Sequence, residues 1–145
     1  MEISLLEKEN INLVKDFYLS VGHTGTSQLS DTERILVARE HEKIIGAVRL
    51  VNENGVFQLR TMDVLHEFQK QGIGLKLLES FVELLGNQDC YCIAYAHLKY
   101  FYGKIGFEEI VMEEAPQFLQ ERIIDYRSRE KNIGKEFILM KKSKI

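Results

Sequence analysis

The sequence predicts an α+β domain organised around an antiparallel meander, and three observations point that way. Residues 35–40, 44–51 and 56–65 read as strands joined by short polar connections, His41-Glu42-Lys43 and Asn52-Glu53-Asn54-Gly55. Asn-Gly is the strongest short-range hairpin signal, because both residues tolerate positive φ. Next, Ile73, Leu77, Phe81, Leu84 and Leu85 fall on one helical face while Lys76, Glu79, Ser80 and Glu83 fall on the other, which predicts an amphipathic helix over residues 72–85. Residues 90–96 then form a nearly uninterrupted apolar run, the pattern of a strand buried on both faces.

The remaining elements fit around this frame. Residues 3–6 suit a short opening strand, and Ile11, Val14, Phe17 and Tyr18 recur at helical spacing over residues 9–20. Residues 21–32 are rich in Gly, Ser, Thr and Asp without a sustained period, which predicts a mobile surface loop. A short helix over 98–104 precedes Gly106-Phe107 and a strand reaching residue 112. Pro116 suits the first turn of a further helix whose Leu119, Ile123 and Tyr126 share a face, and residues 136–141 supply a closing strand. There is no internal repeat, low-complexity tract or linker, so the 145 residues are expected to form one domain, 1–145.

Composition narrows the function classes. Hydrophobic residues make up 45% and charged residues 28% of the chain, the proportions of a globular protein. The net charge of -3, with both signs interspersed, lacks the basic footprint needed for nucleic acid or an anionic membrane surface. No apolar run approaches the roughly 20 residues of a membrane span, and Met1-Glu2-Ile3-Ser4 does not resemble a secretory signal, so a cytoplasmic protein is expected. Cys90 and Cys92 lie two apart on a strand, where both side chains point to one face without forming a disulfide. His23, His41, His66 and His97 are scattered without ligand spacing, so no metal is expected.

The segment carrying most chemistry runs from Met62 to Gly74: a strand, a polar turn, two closely spaced glycines and the amphipathic helix. Backbone N–H groups at such a helix start lack partners, and the positive end of the helix dipole favours an anion such as phosphate. A side chain at Gly72 or Gly74 would hinder close approach of a pyrophosphate to the backbone. The segment is not a P-loop, because Gly74 is followed by Leu75-Lys76-Leu77 with no magnesium-binding hydroxyl. A dinucleotide-binding turn would require a third glycine where Leu77 stands, and a parallel βαβ unit.

Gln69-Lys70-Gln71-Gly72-Ile73-Gly74 instead resembles the Arg/Gln-x-x-Gly-x-Gly/Ala signature of the GNAT (Gcn5-related N-acetyltransferase) superfamily. A second segment, Phe101-Tyr102-Gly103-Lys104-Ile105-Gly106-Phe107, resembles that superfamily's Phe-Tyr-x-Lys-x-Gly-Phe segment after the fifth strand. The order of elements agrees over nearly the whole chain. The resemblance implies a mixed, mostly antiparallel sheet flanked by helices, with fourth and fifth strands splayed to admit the pantetheine arm of acetyl-CoA.

It further implies that backbone groups of Met62, Asp63 and Val64 pair with that arm. The amides of Gln69, Lys70, Gln71, Gly72, Ile73, Gly74 and Leu75 would bind the pyrophosphate. Tyr102 would sit at the thioester sulfur and protonate the departing thiolate. Two positions depart from the common pattern: Gln69 replaces an arginine, which removes a positive charge, and Tyr95 stands near the end of strand five where many members have Asn or Gln.

The implied activity is direct transfer of an acetyl group from acetyl-CoA, the donor co-substrate, to a primary amine of a small molecule or peptide. The general base is not marked by any motif; Asp63, His66, Glu67 and His97 are near the predicted site in sequence. Arg60 alternates with Met62 and Val64 along the predicted fourth strand and is a candidate for holding an acceptor carboxylate, an exposed ion pair being the simpler reading. Residues 113–135 exceed the length of a turn and are candidates for covering the acceptor site or for a homodimer contact, with packing on the sheet the simpler reading. Two other function classes fit the residues: a catalytically silent acyl-CoA-binding module without a competent Tyr102, and a protein-interaction domain whose glycines merely start a helix.

Overall fold

The computed structural model describes residues 1–23, 29 and 33–144. In chain order the elements are β1 (Glu2–Leu5), α1 (Ile11–Ser20), β2 (Arg34–Glu40), β3 (Lys43–Glu53), β4 (Val56–Val64), α2 (Ile73–Leu85), β5 (Cys90–Tyr95), α3 (Lys99–Gly103), β6 (Glu108–Glu109), α4 (Gln117–Arg127), α5 (Glu130–Ile133) and β7 (Phe137–Lys142). The fold class is α+β, a mixed and mostly antiparallel seven-stranded sheet with flanking helices. The chain divides into two compact units, Met1–Gly86 and Asn87–Ile145. Most of the predicted 21–32 loop, residues 24–28 and 30–32, lies outside the described residues.

In the first unit, β1, β2, β3 and β4 pair antiparallel in sequence order. Two-residue turns join β2 to β3 and β3 to β4. Asn54 and Gly55 have φ of 56° and 81°, the doubly positive geometry anticipated from Asn-Gly, and His41 and Glu42 adopt 50° and 72° without a glycine. α1 packs Val14, Phe17 and Tyr18 against Ile35, Val37, Ile44 and Ala47. The opposite face receives α2: a Cβ placed on Gly46 would stand 3.0 Å from the Leu77 Cδ1, so glycine at this β3 position admits the helix closely. α2 buries Ile73, Leu77, Leu78, Phe81 and Leu85, while Leu84, assigned to the core face from its spacing, is only half-buried. The stripe is centred between 77 and 81, which draws in Leu78 and turns Leu84 to the margin.

In the second unit, β5 and β6 both pair antiparallel with β7. β5 is not buried on both faces as its apolar run predicted. Cys90, Cys92 and Ala94 are buried, whereas Tyr91, Ile93 and Tyr95 are half-buried. The strand uses an apolar residue on each face although only one is fully covered. α4 contributes Leu119 and Ile123 to this unit's core, and Tyr126 is half-buried. Pro116 caps α4 from outside, with ψ of 148°, rather than occupying its first turn. β6 spans two residues, far short of the strand predicted to reach residue 112, because a 3-10 turn begins at Met112 and Ile110 makes one further bond, its N–H to the Leu139 carbonyl.

Candidate functional site

β4 loses its regularity just where the predicted donor segment begins. Arg60 is opposite Arg49 and Asp63 is opposite Ala47, so β4 advances three residues while β3 advances two. Thr61 has φ of 49°, a left-handed value that is unusual for a β-branched residue. Together these define a β-bulge at Thr61–Met62. The bulge interrupts the alternation by which the sequence placed Arg60 on one face with Met62 and Val64.

Side chains from two other elements, α1 and β3, converge on the bulge. The Tyr18 hydroxyl donates to the Thr61 carbonyl at 2.6 Å, and the Arg49 Nη1 donates to the Thr61 Oγ1 at 3.0 Å. Arg49, only 8% exposed, is charge-compensated by Glu33 at 2.7 Å. Burial pushes the Tyr18 phenol far above its ordinary range, with the Arg49 charge opposing and the Asp63 and Glu33 charges reinforcing the shift. Tyr18 is therefore a proton-bearing donor at any ordinary pH.

One residue beyond the bulge, the Asp63 Oδ2 lies 2.9 Å from the His23 Nε2, and its Oδ1 accepts the Val64 N–H at 2.8 Å. The Tyr18 ring meets the His23 imidazole edge-on, with centroids 5.7 Å apart and planes at 89°. Sequence reasoning missed this arrangement. His23 and Asp63 are 40 positions apart, Arg49 and Glu33 are 16 apart, and no motif links either pair. His66 and Glu67, considered as bases from their proximity in sequence, are exposed on a 3-10 turn. His97 is exposed and stacks on Tyr95 at 5.7 Å.

After β4 the chain makes the turn that carries the glycine signature. Lys70 and Gly72 have φ of 64° and 82°, and Gly72 is the residue that caps α2. No side chain caps the helix, and the first bond across this end runs from the Lys76 N–H to the Gly72 carbonyl. The amides of Ile73, Gly74 and Leu75, preceding that bond, face the open end of the helix. A Cβ at Gly72 would meet nothing within 4 Å, so the constraint there is the left-handed backbone rather than crowding by the protein. Gln69, at the first signature position, donates its side-chain N–H to the Val64 carbonyl at 3.0 Å, so it braces the turn against the end of β4.

In the second unit, Tyr102 lies on α3 and is 6% exposed. Its ring makes edge contacts with Phe101 at 5.4 Å and Phe107 at 6.3 Å. The Tyr102 carbonyl accepts the N–H groups of Ile105 and Phe107, and Gly106 adopts φ of 100°, so the Phe-Tyr-x-Lys-x-Gly-Phe segment closes on itself as a tight helix-end turn. Cys90 and Cys92 are buried free thiols, and burial raises the Cys92 thiol well above its ordinary 9.0. A thiol held protonated in this way is a poor nucleophile. At the end of β5, Tyr95 packs against Phe137 at 5.1 Å, with the Lys135 ammonium 4.7 Å above its ring.

No curated protein sequence matches the chain. Among solved structures, Rv2747 from Mycobacterium tuberculosis in complex with CoA and NLQ superposes with a TM-score of 0.73 at 16% identity, with 100% of each chain covered. The IAA acetyltransferase from Bacillus cereus ATCC 14579 gives 0.71 at 19% identity, over 99% of each chain. An aminoglycoside 6'-N-acetyltransferase complexed with coenzyme A gives 0.64 at 15% identity, covering 100% of this chain and 98% of that one. These likenesses are of fold. The family model for the acetyltransferase (GNAT) domain matches residues 31–109, more than half of the sequence and the whole run from β2 through the glycine turn to β6. The chain belongs to the GNAT acetyltransferase family.

Proposed function

We propose that this protein is an acetyl-CoA-dependent N-acetyltransferase that passes the acetyl group directly to a primary amine of a small molecule or peptide, with residues 1–145 acting as a single acetyltransferase domain. The observation carrying this reading is the start of α2, a 13-residue helix with no side-chain cap, entered through left-handed Lys70 and Gly72. Such a terminus suits a pyrophosphate through its free amides and its dipole. Two of the similar structures are described as complexes with coenzyme A, which supports the same ligand here. Two buried free thiols suit a reducing, cytoplasmic setting.

In this reading the amides of Lys70 to Leu75 hold the pyrophosphate, that of Gln69 being engaged by the His66 carbonyl at 3.2 Å, and backbone groups of Met62 and Asp63 pair with the pantetheine arm in the manner of an added strand, since the Val64 N–H is held by the Asp63 carboxylate and its carbonyl by the Gln69 side chain. The bulge supports that role, since it breaks the regular ladder at the start of this stretch. Bound acetyl-CoA supplies an activated thioester whose carbonyl carbon the amine attacks. Tyr102 donates a proton as thiolate charge develops, a task suited to a phenol that is neutral at physiological pH. Arg60 is the candidate for an acceptor carboxylate. Direct transfer leaves Cys90 and Cys92 without a chemical role, consistent with their burial.

A catalytically silent acyl-CoA-binding module is the second reading, favoured by the deep burial of Tyr102 between Phe101 and Phe107. Two measurements decide. Acetyl-CoA at 100 times its dissociation constant stabilises a binding protein by about 2.7 kcal/mol, and absence of a thermal shift rules out both donor-binding readings. Turnover against amino acids, polyamines, aminoglycosides and peptide N-termini then separates the enzyme from the module.

A further inference from the structure

The bulge at Thr61–Met62 decides which side chains of β4 share a face. Arg60 lies opposite Arg49 and Asp63 opposite Ala47, so Arg60 and Asp63 point to the side of the sheet on which α1 packs. Gln58, opposite Val51, belongs to the same side. The result is a polar stripe along β4 and β3 on a face that elsewhere is apolar. Gln58 and Arg49 are the buried polar side chains among the described residues, and both stand in it.

Buried polar groups are costly unless they are answered, and most of this stripe is answered by the protein itself. Gln58 donates to the Glu53 carboxylate at 3.0 Å. Arg49 donates to Glu33 at 2.7 Å and to the Thr61 Oγ1 at 3.0 Å. Asp63 is held by His23 and by the Val64 N–H. Arg60 is the exception: it is half-buried and makes no hydrogen bond or ion pair among the described residues. Its cross-strand neighbour is a second cation, Arg49, and like charges directly opposite one another destabilise a sheet. Folding alone therefore gives little reason for a guanidinium at this position.

We propose that Arg60 holds the carboxylate of the acceptor, so that the amine acetylated is a small molecule bearing a carboxylate, an amino acid being the simplest case. The acceptor role rests on the function proposed above, whereas the carboxylate site does not. The planar guanidinium offers two parallel N–H donors that match the two oxygens of a carboxylate. One guanidinium compensates the single charge of a carboxylate, while a phosphate monoester carries about -1.5 to -2 at pH 7. Polyamines and aminoglycosides would bring further positive charge to a face that already presents Arg49 and Arg60, and this selects against them. From Arg60, β4 runs on through the bulge to the glycine turn within one compact unit, Met1–Gly86.

The test uses the full chain, amino acids and their C-terminal amides as acceptors, and Arg60→Gln. A charge-assisted pair lost on binding corresponds to a KM for the carboxylate acceptor raised by about 10–100-fold. The KM of the matching amide should stay within about twofold, and kcat should change little for either. Arg60→Lys, which keeps the charge without the fork, should fall between parent and Arg60→Gln. Thermal stability should be unchanged or raised in Arg60→Gln, since the facing of two cations is relieved. Equal effects on acid and amide, or a best acceptor that lacks a carboxylate or carries a phosphate instead, overturn the proposal and leave the acetyltransferase reading intact. If no amine is acetylated, that reading falls, and an NMR titration with an N-acetyl amino acid decides the carboxylate site alone. Saturable binding that weakens at least tenfold in Arg60→Gln supports the site; no binding to the parent, or equal binding to both, overturns it.

Discussion

Replacing Tyr18 with phenylalanine removes one oxygen atom and tests whether the bulge in β4 is held from α1. Tyr18 is fully buried and its hydroxyl donates at 2.6 Å to the Thr61 carbonyl, in the one stretch of β4 without a regular ladder partner. An ordinary intramolecular hydrogen bond contributes about 0.5–1.5 kcal/mol net, whereas stranding a buried acceptor costs about 1–3 kcal/mol. Thr61 is only half-buried, so water partly relieves the stranded carbonyl, and about 2 kcal/mol is the expected loss. For a chain of this length that lowers Tm by roughly 4–8 °C. Urea unfolding followed by circular dichroism reads the change directly, provided the slope with denaturant matches the parent. A loss below about 0.5 kcal/mol with an unchanged slope would show that the hydroxyl does not support the bulge.

Tyr102→Phe keeps the ring among Phe101 and Phe107 and should lower turnover by on the order of 10²-fold with donor affinity nearly unchanged; full turnover returns Tyr102 to a packing role. Gly74→Val should weaken acetyl-CoA binding in a folded protein, and unchanged affinity by calorimetry would displace the pyrophosphate from the start of α2. Gly72→Val is the poorer test, because at φ of 82° any side chain strains the backbone by about 1–2 kcal/mol in addition to its effect on ligand. The double Cys90→Ala, Cys92→Ala protein should lose stability through cavities yet retain turnover, and an inactive folded variant or a trapped acetyl-cysteine would refute direct transfer. Because burial raises the Cys92 thiol above its ordinary 9.0, the folded state keeps a proton that the unfolded chain releases. Stability is therefore complete below about pH 9 and falls above it by up to about 1.4 kcal/mol per pH unit for this group. Cys92→Ala should flatten that decline in unfolding curves taken between pH 9 and 10.5 under reducing conditions, and an identical decline would assign it elsewhere.

Much of this was legible because it is local. Asn54-Gly55 announced its hairpin because both residues tolerate the positive φ that a two-residue turn requires, and the α2 stripe and the glycine turn were read from spacing within a dozen positions. The resemblance to the GNAT superfamily was read from two short segments, and each carries a glycine of positive φ in the structure, Gly72 and Gly106. What escaped was long-range or irregular. The bulge at Thr61 carries no glycine to mark it, and it undid the alternation assumed for Arg60. Leu84 and the half-covered face of β5 reflect how far neighbouring elements extend, which hydrophobicity alone does not encode. The Tyr18–Thr61, Arg49–Glu33 and His23–Asp63 contacts join residues from separate elements, and only the folded sheet brings them together.

The measurement that reaches the central claim most directly is release of free CoA thiol from acetyl-CoA, followed with and without each amine of the panel and paired with mass detection of the product. The account predicts amine-dependent thiol release matched one for one by an acetylated amine, and its loss in Tyr102→Phe. Saturable acetyl-CoA binding with no acetylated product from any amine would contradict it and leave an acyl-CoA-binding module in its place.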